Sequence, residues 1–104
     1  MEINSQELKQ KIESGEKFIV DMYADWCGPC RILGPIIERF SQNLKNEGSD
    51  VNVYKFNIES DKEMAVSLGV RSIPTIKAFA GGEVMDTKMG VLQESQLRDM
   101  VSVL

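Results

Sequence analysis

Two cysteines separated by two residues are the side chains best suited to redox chemistry in this chain. Cys27 and Cys30 are the only thiols among 104 residues, and they lie in the run Ala-Asp-Trp-Cys-Gly-Pro-Cys-Arg. At the start of a helix, unpaired amide N–H groups and the helix dipole favour a thiolate on the first cysteine. We therefore predict that Cys27 attacks a substrate disulfide and that Cys30, which should be the deeper and less exposed thiol, resolves the mixed disulfide.

The rest of the composition excludes several other kinds of site. The chain has no histidine, which excludes a Ser-His-Asp or Cys-His nucleophile and an imidazole-ligated metal within one chain. Two cysteines cannot form a four-thiolate zinc site, so we expect no metal site in a single chain. A metal cluster shared by two chains remains an alternative, and so does an inert structural disulfide, which is unusual in a cytosolic protein.

The charge and hydropathy patterns limit the binding partners and the cellular location that we expect for this chain. The chain carries 12 basic and 16 acidic residues, a net charge of -4, without a basic run interleaved with aromatics, so we expect no nucleic-acid binding. It contains no apolar stretch of the ~18 residues that a transmembrane helix needs. The first residues are polar and acidic, unlike a signal peptide. We expect one soluble, cytoplasmic domain over 1–104, although a chain cleaved from a precursor would look the same.

The cysteine pair lies between a predicted strand and a predicted long helix. Residues 17–23 form an almost continuous apolar run around Asp21, which is typical of a central, parallel strand covered on both faces. A helix follows over about 27–46, where an apolar series begins at Ile32, recurs every fourth residue and should face the sheet. Pro35 removes one backbone hydrogen bond, at a cost of about 3 kcal/mol, and is expected to kink this helix.

The remaining elements are predicted from capping residues, glycine turns and the periodicity of apolar residues. They are a short strand at 2–3, a helix from Asn4 or Ser5 to about Gly15, a strand at 51–58, a short helix through Leu68 opened by a capping box of Ser60 and Glu63, a hairpin of 75–80 with 83–89 around Gly81-Gly82, and a C-terminal helix over the last dozen residues. This order predicts an α/β fold with a mixed central sheet flanked by helices on both faces.

The sequence around the cysteines resembles the active-site motif of the thioredoxin family. The matching segments are Val-Asp-Met-Tyr-Ala-Asp-Trp-Cys-Gly-Pro-Cys at 20–30, Pro35, Lys-Phe-Asn-Ile at 55–58, Ile-Pro-Thr at 73–75, Phe79 with Gly82, and Met89-Gly90. The resemblance extends along the whole chain and implies a thioredoxin fold. It also implies a monomeric protein-disulfide reductase that binds no cofactor and receives electrons from NADPH through the flavoprotein thioredoxin reductase. Its other partners would be diverse disulfide-containing proteins.

Three residues outside the cysteine motif are expected to support its chemistry. Burial in an apolar strand should raise the pKa of Asp21, although a carboxylate at a strand end bonded to a backbone amide or to water is the alternative. The resemblance implies that Asp21 accepts the proton of Cys30, with Lys55 close by; a solvated charge at a strand edge is the alternative for Lys55. Sequence alone favours a trans bond before Pro74, whereas the resemblance implies a cis bond facing the cysteines.

The resemblance further implies an apolar rim around Cys27 that docks substrates of broad specificity. Trp26 belongs to it, although an ordinary core position is the alternative for this side chain. The same rim would suit a second function, a binding module or subunit whose partner is gated by the redox state. The rim residues are Trp26, Gly28, Pro29, Ile73, Met89 and Gly90.

Overall fold

A four-stranded sheet forms the centre of the computed structural model, which describes residues 1–104. The strands are β1 (Phe18–Tyr23), β2 (Asn52–Asn57), β3 (Thr75–Ala80) and β4 (Glu83–Met89), in the spatial order β2-β1-β3-β4. β1 is parallel to β2 and antiparallel to β3, and β3 is antiparallel to β4. The mixed sheet is confirmed, and β1 is central as predicted, but only one of its two neighbours is parallel.

Helices cover both faces of this sheet, which confirms the predicted architecture. The helices are α1 (Ser5–Glu13), α2 (Gly28–Asn46), α3 (Lys62–Ser67) and α4 (Glu94–Val101). One buried cluster joins the sheet to α2 and α4, and a second joins the opposite face to α1, with partly buried residues of α3 packed against it. Each face therefore has its own apolar layer, and β1 contributes side chains to both.

Alternation along β1 decides which residues face the long helix. Ile19 belongs to the cluster under α2 and α4, whereas Val20 and Met22 belong to the cluster under α1 and α3. Because successive side chains of a strand point to opposite faces, Asp21 and Tyr23 lie on the same face as Ile19. The fold thus directs a carboxyl group and a phenol toward the side of the sheet that carries α2.

Two local predictions about the helices are wrong. Asp61, rather than Ser60, caps α3, because the Ser60 hydroxyl donates to the Asn57 carbonyl oxygen at 2.6 Å within a 3-10 turn (Ile58–Ser60). In α2, Ile32 is 62% exposed and the buried series begins at Leu33. A strict four-residue repeat drifts by about 40° around the helix at each step, so its first member leaves the buried face.

The N-terminal segment forms a short addition to the sheet, as the sequence predicts. The Ile3 N–H donates to the Lys55 carbonyl oxygen at 2.9 Å, and the Lys55 N–H donates to the Met1 carbonyl oxygen at 3.0 Å. Glu2 pairs with Lys55 in an isolated parallel bridge. The outer edge of β2 is therefore covered beside Lys55 by three residues only.

Candidate active site

The two cysteines lie at the start of α2, directly after the turn that follows β1. Cys27 is the N-cap of the helix, and its sulfur accepts a hydrogen bond from the Cys30 backbone N–H at 3.2 Å. Their Cα atoms are 5.3 Å apart and the side chains are joined as a disulfide. Helix N-termini leave N–H groups without intrahelical partners. In the reduced form the same N–H would stabilise a thiolate on Cys27.

The predicted difference in exposure between the two cysteines is wrong for this oxidised form. Cys27 is 4% exposed and Cys30 is 5% exposed, so both are buried in the disulfide form. What distinguishes them is their surroundings. The Cys27 sulfur lies 3.8 Å from the Ile73 carbonyl oxygen, whereas Cys30 lines a cavity beneath the start of α2. The two sulfurs therefore face different partners.

Asp21 is fully buried on the face of β1 that carries α2, the helix that begins at the cysteine pair. Neither carboxyl oxygen has a hydrogen-bond partner in the protein, so the alternative of a carboxylate bonded to a backbone amide is wrong. Burial raises the pKa of Asp21 from 3.8 to about 6, and the Lys55 charge partly offsets this rise. A carboxyl group with free acceptor capacity and a pKa near neutrality is suited to accept a proton.

Lys55 lies next to Asp21 in the sheet and reaches toward the aromatic ring of Tyr23. Asp21 and Lys55 are register partners in the parallel pair of β1 and β2. The Lys55 ammonium lies 4.6 Å from the centroid of the Tyr23 ring, and no carboxylate is within 4.0 Å of it. Lys55 is half-buried rather than a freely solvated charge.

A cavity of about 500 Å³ opens to the surface beside Cys30 and Lys55. Tyr23, Cys30 and Lys55 contribute to its wall. Arg31 also lines it, but the guanidinium donates to the Asp25 carbonyl oxygen at 3.0 and 2.8 Å and so fixes the turn before α2. The cavity gives Cys30 a route to solvent on the side away from Ile73.

The loop that precedes β3 places a proline close to the disulfide. The Ile73–Pro74 peptide bond is cis, as the family resemblance implies. Pro74 is buried, and its carbonyl oxygen accepts a hydrogen bond from the Gly90 N–H at 3.0 Å. Because the Ile73 carbonyl oxygen faces the Cys27 sulfur, the structure brings together Cys27, Ile73, Pro74 and Gly90.

Of the six predicted rim residues, four are exposed around the disulfide and two are half-buried. Trp26 is 65% exposed, so the alternative of a core tryptophan is wrong, and Met89 is 62% exposed. Gly28 and Pro29 are exposed in the first turn of α2, and Ile73 and Gly90 are half-buried. An exposed tryptophan and methionine beside a reactive pair are typical of a surface that docks other molecules.

Three polar contacts at this end of the sheet are missed by sequence reasoning. The Ser72 hydroxyl donates to the Met89 sulfur at 3.2 Å, the Thr75 hydroxyl donates to the Ser72 carbonyl oxygen at 2.5 Å, and the Tyr23 hydroxyl donates to the Glu2 carboxylate. The last contact had a signal, because Glu2 belongs to the predicted short strand and Tyr23 follows Asp21 by two residues. Ser72 and Thr75 carry no comparable pattern.

The structure contains neither a metal-binding cluster nor a membrane-spanning helix. No group of three or more Cys, Asp or Glu side chains is arranged to hold a metal ion. None of the helices combines the length and the apolar character required to cross a membrane.

Comparison with known proteins identifies the same family that the sequence around the cysteines resembles. Residues 1–103 match the family model described as Thioredoxin. Thioredoxin of Rickettsia felis is 43% identical over 94 residues, which cover 90% of this chain and 87% of that protein. Thioredoxin of Mycoplasmoides gallisepticum is 36% identical over 98 residues, 94% of each chain.

Solved structures give the same result for the fold. A mutant thioredoxin from Halobacterium salinarum has a TM-score of 0.79 at 31% identity, over 97% of this chain and 88% of that one. Oxidised mitochondrial thioredoxin 3 of Saccharomyces cerevisiae has a TM-score of 0.84 at 24% identity, over 100% of this chain and 94% of that one. The chain belongs to the thioredoxin family, and with its Cys27–Cys30 pair it is a thiol-disulfide oxidoreductase that reduces protein disulfides.

Proposed function

We propose that Cys27 is the attacking thiol of this reductase and that Cys30 is the resolving thiol. The Cys27 thiolate displaces one sulfur of the target disulfide, which leaves as a thiolate and takes a proton from solvent. Cys30 then loses its proton and attacks the Cys27 sulfur, which releases the second target sulfur. Two electrons pass to the target, and the Cys27–Cys30 disulfide remains. The observation that carries this assignment is the hydrogen bond from the Cys30 N–H to the Cys27 sulfur at the helix N-terminus.

Asp21 accepts the proton of Cys30 in this scheme. Its burial, its free oxygens and a pKa near 6 support the assignment, since at neutral pH the carboxylate is largely ionised and ready to take a proton. The cavity beside Cys30 and Lys55 provides room for a bridging water. Lys55 has a supporting role, because its positive charge favours the carboxylate form of Asp21.

Substrates dock on the rim with an extended backbone beside the cis proline. Pro74 has no N–H group, and the Ile73 backbone next to it faces the attacking sulfur. A target segment can then pair with this backbone as a strand. The side chains of Trp26, Met89 and Ile73 contact the target, together with the backbone of Gly28, Pro29 and Gly90. An uncharged surface of this kind fits many unfolded or loop disulfides.

The catalytic cycle closes when a second enzyme returns electrons to Cys27–Cys30. We assign this step to thioredoxin reductase with NADPH as the electron source, so the chain carries electrons without a cofactor of its own. The family membership supports this partner. We further propose that 1–104 is one domain that acts as a cytoplasmic monomer.

A coupled assay tests the assignment of the cysteines. NADPH-driven reduction of insulin disulfides with added thioredoxin reductase is expected for the wild type and is expected to vanish in Cys27→Ser. Cys30→Ser should accumulate a mixed disulfide through Cys27, identifiable by peptide mass spectrometry, and the captured proteins would name the physiological substrates. Undiminished turnover by Cys27→Ser, or a trapped target attached to another residue, would contradict the scheme.

A redox-gated binding module is the second candidate function. The exposed side chains of Trp26 and Met89 favour it, because the same surface that docks a substrate also suits a stable partner. In that case the double variant Cys27→Ser, Cys30→Ser should retain a stoichiometric partner in pull-down experiments, while insulin reduction is lost. A reductase alone predicts that the double variant retains no such partner.

A further inference from the structure

The N-terminal segment connects to the active site through one side chain. Glu2 lies beside Lys55 in the short parallel bridge, and its carboxylate accepts a hydrogen bond from the Tyr23 hydroxyl. Two backbone hydrogen bonds on either side of this bridge fix Met1 and Ile3 to Lys55. Glu2 is therefore held at a defined place on the sheet, and it holds the tip of the Tyr23 side chain.

The Lys55 ammonium in turn packs against the face of the Tyr23 ring. The nitrogen lies 4.6 Å from the ring centroid, within the range of a cation–π interaction. A phenol that donates to a carboxylate has a more electron-rich ring, which strengthens its attraction for a cation. The pKa of Tyr23 is raised well above its ordinary range by burial and by Glu2, so the phenol stays protonated and keeps this hydrogen bond.

All of these groups share the face of the sheet on which Asp21 lies. Tyr23 follows Asp21 by two residues in β1, and Lys55 is the register partner of Asp21 in β2. Lys55 does not form an ion pair with Asp21 within 4.0 Å. Its charge acts on the carboxyl group from the place where the Tyr23 ring holds it, rather than through a direct contact.

We propose that Glu2 and Tyr23 are positioning residues, which hold the Lys55 ammonium beside Asp21 and so keep Asp21 ionised at neutral pH. The inference rests on the proposed role of Asp21 as the proton acceptor of Cys30. Without the Tyr23 ring as a support, the flexible Lys55 side chain would extend into solvent, where water screens its charge from Asp21. Neither Glu2 nor Tyr23 contacts the substrate in this account.

Other charged groups near Asp21 are unchanged by the variants that test the proposal. The β3 partner of Asp21 is the apolar Ile76. In β4, the next strand on that side, Lys88 is the register partner of Ile76 and lies on the same face, 3.9 Å from the Asp86 carboxylate. The titratable and charged groups that face the site from β1, β2, α2, the turn before α2 and the N-terminal segment are Tyr23, Lys55, Cys30, Arg31, Glu38, Asp25 and Glu2.

The test follows the titration of Asp21 directly, by carbon NMR of aspartate-labelled oxidised protein. Tyr23→Phe keeps the ring but loses the hydrogen bond, and it should raise the Asp21 midpoint by roughly half a pH unit; Lys55→Gln should raise it by about one unit. In the Lys55→Gln background, Tyr23→Phe should add nothing, because the cation that it positions is absent. Unchanged amide spectra outside the site would show that each variant is folded.

Glu2→Leu removes both the negative charge and the acceptor of the Tyr23 hydroxyl. It separates positioning from a simple charge effect, because the two predict shifts of the Asp21 midpoint with opposite signs. Removal of a nearby negative charge would by itself lower the Asp21 midpoint, whereas loss of the support for Lys55 raises it by roughly half a unit. Glu13→Leu is the matched control, since Glu13 is exposed in α1 and has no ion pair or hydrogen bond from its side chain, and it should leave the midpoint unchanged.

An unchanged midpoint in Tyr23→Phe, or a lowered one in Glu2→Leu, would overturn the proposal. The same outcome would leave the role of Asp21 intact if mixed-disulfide release still follows the Asp21 titration. Conversely, a raised midpoint without any change in the pH profile of release would support the positioning and contradict the proton-acceptor role. The two failures are therefore distinguishable.

Discussion

Two charged side chains are buried in this sheet, and they are treated in opposite ways. Asp21 in β1 faces α2 and has no hydrogen-bond partner within the protein, whereas Lys77 in β3 is 8% exposed and donates to the Thr87 hydroxyl at 3.1 Å. They lie on opposite faces, since Lys77 pairs with Val20, whose side chain belongs to the layer under α1 and α3. Only one of the two buried charges has a hydrogen-bond partner within the protein.

The difference separates a functional carboxyl group from a structural amine. A buried polar group without a partner costs free energy, so a stable fold usually satisfies it. Lys77 follows this rule, because Thr87 lies directly opposite in the β3–β4 pair. Asp21 has no such partner within the protein, and it lies on the face of the sheet covered by α2, the helix that begins at the Cys27–Cys30 disulfide. Strongly raised pKa values are concentrated at functional sites.

The largest expected effect is on stability, through Asp21→Asn. The fold raises the pKa of Asp21 from 3.8 to about 6, so the stability linked to this group is complete below pH 4 and is lost as the pH rises through 6. The loss reaches about 3 kcal/mol above pH 7. Asp21→Asn should therefore be about 3 kcal/mol more stable than the wild type at pH 8 and nearly equal at pH 4.

Urea denaturation of the two oxidised proteins at several pH values measures this directly. The difference in free energy of unfolding should grow between pH 4 and pH 7 and then level off. An equal gain at pH 4 and pH 8 would mean that the substitution acts through packing and not through the buried charge. In that case the contrast between Asp21 and Lys77 would lose its energetic basis.

Thr87→Val tests the contrast from the other side, by removing a partner instead of a charge. Lys77 would lose the hydroxyl that accepts its hydrogen bond, and we expect the free energy of unfolding to fall by about 1 kcal/mol. Denaturation of the double variant Lys77→Met, Thr87→Val is the control, because a methionine needs no acceptor and the loss should largely disappear. A loss of the same size in both backgrounds would show that Thr87 stabilises β4 independently of Lys77.

The smallest effect is expected for Lys77→Met alone. Methionine has a similar volume, and the lost hydrogen bond is offset because no charge has to be buried, so stability should change by less than about 1 kcal/mol. Activity in the insulin assay should equal that of the wild type. A large loss of turnover would assign Lys77 a role in the reaction and would remove the distinction between a functional and a structural charge.

The sequence predicts much of the environment of Asp21 but very little of the environment of Lys77. Asp21 interrupts an apolar run just before the cysteine motif, so both its burial and its proximity to the site follow from the pattern and the family resemblance. Lys77 interrupts an equally apolar strand, but its partner Thr87 is fixed by the register of a hairpin. A β-bulge between Ala78 and Phe79 shifts that register further along, which no local pattern reveals.

The errors in the predicted helices have a similar origin. The capping residue of α3 depends on a 3-10 turn that uses the Ser60 hydroxyl, and the exposed position of Ile32 depends on how α2 rotates against the sheet. Both are tertiary outcomes that local spacing does not determine. The same is true of the contact between Tyr23 and Glu2, which requires the N-terminal segment to be placed beside β2.

The pH profile of mixed-disulfide release tests the central claim, that the buried Asp21 carboxylate takes the proton of Cys30. Stopped-flow release of a labelled peptide from its mixed disulfide with Cys27 would be followed from pH 5 to pH 8. For the wild type we predict a rise centred near pH 6, the pKa of Asp21. In Asp21→Asn this rise should be absent and release near pH 7 should be slower by roughly 100-fold. Superimposable profiles for the two proteins would contradict the account.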